Sequence, residues 1–98
     1  MEGPLIAMTY QYDITRRYVA REDVELLEFH SADSTPFLIR CTPHNFRSPK
    51  QVMCFIAGQL LLKARELAQA EFEGNEAVTP LEVEQRADEI YNVLAGQM

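Results

Sequence analysis

Apolar and polar residues alternate along much of the first half of this chain, and from Ser48 onward the spacing changes to that of helices. From Ile6 to Ile14 the even positions are Ile6, Met8, Tyr10, Tyr12 and Ile14, while the odd positions from Thr9 to Arg17 are polar. A period of two sends successive side chains to opposite faces, which predicts a strand with one buried side. The alternation reaches Tyr18 with one break at Arg16, and no Gly, Pro or Asn between Leu5 and Tyr18 makes a tight turn. The spacing therefore predicts one long strand, bent or bulged near Asp13, with Tyr10, Tyr12 and Tyr18 on its core side or core rim. A polar turn at Arg21 to Asp23 follows.

Val24 to His30 reads as a second strand, although consecutive Leu26 and Leu27 keep a short helix from Asp23 as an alternative. Ser31-Ala32-Asp33-Ser34-Thr35 is dense in turn formers. Phe37 to Thr42 alternates again, with Phe37, Ile39 and Cys41 on one face. Residues 5–42 thus predict a three-stranded antiparallel β-meander with one apolar face.

Two helices follow, with marked starts. Ser48-Pro49-Lys50-Gln51 and Thr79-Pro80-Leu81-Glu82 each place a hydroxyl at the N-cap, Pro at the first helical position and Gln or Glu at the third. Both read as capping boxes. The first helix is expected over about 49–72, stopped by Glu73-Gly74-Asn75, and the second over about 80–95, ended by Gly96. Val83, Ala87, Ile90, Tyr91 and Leu94 form one buried stripe of the second helix. The first helix is apolar almost all round between Val52 and Leu62, so it must be covered on more than one side. Gly58, unfavourable in a helix, is expected to mark close approach of another backbone element. The fold class that results is α+β: a three-stranded meander, then two antiparallel helices packed on one face (β-β-β-α-α), in a single domain over residues 1–98.

Composition changes this picture little: 47% apolar and 24% charged is ordinary for a globular domain. The apolar run Val52 to Leu62 is too short to span a membrane, which takes about 18 residues or more. Met1 to Leu5 lacks the basic start of a signal peptide, and two cysteines make no secreted disulfide framework, so a cytoplasmic protein is expected. Charge adds more. Residues 1–65 carry eight basic and seven acidic side chains, whereas residues 66–98 carry eight acidic ones against Arg86 alone. The net −7 of that last third disfavours nucleic acid as a partner.

No group of residues carries specific chemistry. Cys41-x-x-His44 has metal-like local spacing, and His30, Cys41, His44 and Cys54 are the only His and Cys residues. Cys54, however, sits among apolar neighbours where a buried Cys is expected, and no zinc or other cofactor is predicted. Cys41 with His44, and His30-Ser31 with Asp33, hold residue types of hydrolytic sites without a convergent geometry, so no catalytic residue is assigned. Arg40, His44, Arg47, Ser48 and Lys50 form a basic segment leading into a helix N-terminus, where an anion would be favoured.

The expected function is a small, acidic, non-catalytic protein-binding module of the inhibitor, adaptor or assembly-subunit kind. Its outline resembles small inhibitory or accessory proteins of phages and mobile elements only at the level of fold. Glu71, Glu73, Glu76, Glu82, Glu84, Asp88 and Glu89 are the expected contacts for a partner with a basic surface, and Val52–Leu62 for a homodimer. The alternative is an anion-binding protein or enzyme using the basic segment.

Overall fold

The computed structural model describes residues 10–32, 34–42 and 47–98. Three strands, β1 (Asp13–Val19), β2 (Val24–His30) and β3 (Phe37–Cys41), form an antiparallel sheet in the order β1-β2-β3. Two helices follow, α1 (Pro49–Glu71) and α2 (Pro80–Gly96), packed on each other as an antiparallel hairpin. The β-β-β-α-α order and the α+β class agree with the expectation from periodicity.

The register places three cross-strand rows on the inner face of the sheet: Ile14–Phe29–Phe37, Arg16–Leu27–Ile39 and Tyr18–Glu25–Cys41. Leu27, Phe29, Ile39 and Cys41 are buried, and Phe29 stacks on Phe37 at 4.4 Å between ring centroids. Tyr12 meets both rings edge-on, at 5.9 and 5.2 Å. Such aromatic contacts stabilise by about 0.5–1.5 kcal/mol each beyond the area they bury. Val24 to His30 is strand throughout, so the short-helix alternative falls.

The first strand is shorter than its alternation suggested, and its residues before Tyr10 lie outside the described part. Tyr10 has a positive φ of 55°, and the ladder begins only at Asp13. Between them Gln97, from the end of α2, takes over the backbone. Its Oε1 accepts from the Tyr12 N–H at 2.6 Å and its Nε2 donates to the Tyr10 carbonyl at 2.8 Å. Tyr10 and Tyr12 are buried as expected, but Tyr18 is not core: it is 55% exposed and its hydroxyl donates to Asp23. The reason is position. Helix α1 lies against β3, and β1 is the sheet edge farthest from it.

In α1 the Ser48 hydroxyl accepts from the Gln51 N–H, but Gln51 Oε1 accepts from the Arg47 N–H at 2.7 Å rather than from Ser48, so only half of the expected box forms. The second box is complete, with Thr79 and Glu82 bonded in both directions. Gly74 takes the left-handed turn conformation after α1, with φ 85°. Gly96 is the last residue of α2, within one residue of the expected end, and Gln97 is its C-cap. Ala64, Ala68 and Ala87 are fully buried in the helix seam, beside Leu60, Ile90 and Leu94. Small side chains there let the two helices approach closely, and each large one contributes roughly 1.5–3 kcal/mol by burial.

Gly58 does not mark the close approach that its cost in a helix suggested. A β-carbon built there meets nothing within 4 Å, so among the described residues no other element approaches it. Cys54 is likewise exposed, and Cys41 is the buried thiol, its pKa raised by burial and by the Glu25 charge.

Candidate interaction surface

The side of the hairpin turned toward β1's approach segment carries a polar cluster that ties that segment to both helices. Glu71, in the last turn of α1, receives two hydrogen bonds from Arg86 of α2, Nε to Oε1 at 2.7 Å and Nη2 to Oε2 at 2.9 Å. The Tyr10 hydroxyl also donates to Glu71 Oε2, and Arg86 bonds Glu89 at 3.1 Å. A carboxylate at a helix C-terminus opposes the dipole; here a guanidinium from the neighbouring helix compensates it.

Burial acts to raise the Glu71 carboxyl, but the bonds from Arg86 and Tyr10 and the Arg86 charge hold it below the usual carboxylate value. Burial, the bond to Glu71 and its charge push the Tyr10 hydroxyl up, and the bond to Glu71 raises Arg86 further. The cluster floors a cleft of about 510 Å³ edged by Ser34, Thr35, Leu67 and Ala70. None of the three groups changes protonation near neutrality, so they are poorly placed as a general acid or base. Their hydrogen bonds are spent on one another. The cluster is a structural anchor.

That anchor divides the expected acidic contacts. Glu71 and Glu89 are bonded to Arg86, and Glu82 closes the α2 capping box. The side chains of Glu73, Glu76, Glu84 and Asp88 are exposed and make no ion pair or hydrogen bond with the described residues. Glu73 and Glu76 stand in the turn between the helices, and Glu84 and Asp88 on α2.

Glu84 borders the hairpin face turned away from the sheet. Toward the turn end this face has a groove lined by Arg65 and Gln69 of α1 and by Pro80, Val83, Glu84 and Ala87 of α2. Toward the other end lies an apolar groove of about 210 Å³, lined by Met53, Ile56, Ala57 and Leu60 of α1 and by Tyr91, Ala95 and Met98 beyond and along α2. Met53 is 70% exposed and Met98 54%. Cys54, Gly58, Leu61 and Arg65 follow i, i+4, i+7 and i+11 spacing, so they form one stripe of α1 beside these grooves. The apolar girdle of Val52 to Leu62 is thus buried on the side of the sheet and α2 and open elsewhere. Periodicity alone had given no direction to it.

The basic segment is dispersed. His44 lies outside the described residues, and Arg40 pairs with Glu22 at 2.9 Å on the outer side of the sheet. Ser48 caps Gln51 and Pro49 has no N–H, which leaves few free donors at the α1 N-terminus between exposed Arg47 and Lys50. On the outer sheet face His30 sits with Thr15 and Glu28, and the Ser31 hydroxyl accepts from the Ser34 N–H as a turn does. Asp33 is outside the described residues. Among the described residues no group of His, Cys, Asp and Glu is arranged to hold a metal, and no helix is long and apolar enough to cross a membrane. Comparison of the chain with protein-family models, with curated proteins and with solved structures finds no match in any of the three.

Proposed function

We propose that this protein is a non-catalytic protein-binding module, and that its working surface is the hairpin face turned away from the sheet together with the acidic turn beside it. One observation carries the reading: this face combines an apolar groove with side chains of both signs that the described residues leave unpaired. Exposed apolar surface rimmed by charge is the usual composition of a protein contact site. The unpaired carboxylates Glu73, Glu76, Glu84 and Asp88 favour a partner with a basic surface, which they would attract and orient more than they would hold. An inhibitor, adaptor or assembly subunit works in this way. The anion-binding alternative has less support, because the α1 N-terminus is taken up by its own side chains.

The test compares three forms of the chain on a resin: wild type, Ala57→Glu on the hairpin face, and Thr15→Glu on the outer sheet face. A partner identified from source-cell extract is expected to bind wild type and Thr15→Glu, and to be lost with Ala57→Glu. Its association rate is expected to fall, and to lose salt dependence, when the four free carboxylates become Gln. A partner that binds Ala57→Glu as well as wild type contradicts the reading.

A further inference from the structure

We propose that two copies of this chain dock their hairpins face to face about a two-fold axis parallel to the helices, each α1 lying over its partner's α2. The proposal rests on the hairpin face being a protein-binding surface, and it names a second copy as one occupant.

The charges choose the geometry. Among the described residues, Arg65 of α1 is a base on the open face without an ion pair, and Glu84 and Asp88 of α2 are acids without one; Arg65 and Glu84 line the same groove, so they stand at one height along the hairpin. Ala57 and Ala95 share the other groove and so share a second height. An axis parallel to the helices keeps each height and exchanges the helices. It sets Arg65 against the partner's Glu84, twice, and lays the two apolar grooves on each other. An axis across the hairpin would set α1 on α1, whose stripe of exposed Cys54, Gly58 and Arg65 with half-buried Leu61 carries no carboxylate. Only the first arrangement is complementary in both charge and polarity, and a closed pair of this kind is the commonest symmetric assembly.

Gly58 supplies an independent observation. Glycine is unfavourable in a helix interior relative to Ala, and among the described residues nothing beyond its own helix lies within 4 Å of a β-carbon built there. It lies one turn from Cys54 on the exposed stripe, at the height of the apolar groove, where half-buried Tyr91 closes α2. In the dimer the partner's Tyr91 lies over Gly58, and a side chain there would hold the helices apart. The dimer also brings both α1–α2 turns to the same end, so that Glu73 and Glu76 of each copy form one acidic tip and remain free for a basic partner.

Sedimentation equilibrium on purified chains tests this. Wild type is expected to dimerise at micromolar concentration, and Arg65→Glu and Glu84→Arg are each expected to weaken it by about tenfold or more. An equimolar mixture of the two variants is expected to recover the dimer, because every facing pair is then of opposite sign. Gly58→Leu is expected to abolish the dimer while leaving the melting temperature of the dilute chain undiminished, which separates interface loss from misfolding. A wild type that stays monomeric at high micromolar concentration overturns the dimer, as does a mixture no tighter than its components. If that monomer still loses its partner on Ala57→Glu, the binding reading stands and the dimer alone falls.

Discussion

Replacing Arg86 with Met keeps most of the aliphatic stem and removes the guanidinium, and with it both bonds to Glu71 and the one to Glu89. Glu71 would then hold only the Tyr10 hydroxyl, with 18% of its side chain exposed. Removing one partner of a fully buried pair costs about 3–5 kcal/mol, whereas a hydrogen bond to a charged group contributes about 1.5–3 kcal/mol. Arg86 is 29% exposed, so solvent screens part of the interaction and the lower range applies. The expected loss is about 2 kcal/mol near neutral pH, or a melting temperature lower by about 8–16 °C in a chain of this size.

The pH dependence gives a second check. The folded-state pKa of Glu71 lies below its ordinary value, so the pair's contribution is complete above the ordinary carboxylate range and is lost as pH falls through the folded pKa. The gap between wild type and Arg86→Met should therefore narrow on acidification. Urea melts followed by circular dichroism at about pH 7 and about pH 3 measure both quantities. A neutral-pH loss under about 0.5 kcal/mol, the size of an exposed surface pair, would refute the anchor. So would a gap that stays constant into acid.

Three further outcomes are expected. Gly58→Ala should stabilise the dilute chain by about 0.5–1 kcal/mol in denaturant melts, because the site is helical and open. Gln97→Ala should destabilise it by about 1–2 kcal/mol, since the Tyr12 N–H and the Tyr10 carbonyl lose their shared partner. In native dilute protein, Cys54 should react with a thiol reagent at close to the rate of a free thiol, while Cys41, buried and raised in pKa, reacts only on unfolding; mass spectrometry of the labelled peptides distinguishes them.

Much of the fold was legible because local signals agreed with the tertiary outcome. Pro49 and Pro80 each follow a capping hydroxyl, and both helices begin there. Phe37, Ile39 and Cys41 alternate, and Ile39 and Cys41 are buried. The failures share a physical cause, which is that burial belongs to neighbours and not to one element. Tyr18 keeps the apolar alternation of its strand but lies on the sheet edge farthest from α1. Gly58 and Cys54 sit in a helix so apolar all round that no periodicity says which side the sheet will cover. The early end of β1 depends on Gln97, a residue 85 positions from its bonding partner Tyr12. The Glu71–Arg86 pair depends on the register of two helices, although Arg86 as the sole base after Arg65 was a usable hint. The same register sets Arg65 level with Glu84, which no spacing within either helix displays.

The surface we propose for binding other proteins is the hairpin face turned away from the sheet. Amide chemical shifts of nitrogen-15-labelled chain, recorded while the identified partner or more of the unlabelled chain is added, test it most directly. Shifts are expected to concentrate at Cys54, Gly58, Leu61 and Arg65 of α1 and at Glu84, Tyr91 and Ala95 of α2, with the outer sheet residues Thr15, Glu28 and Leu38 unmoved. Shifts confined to the sheet would contradict it.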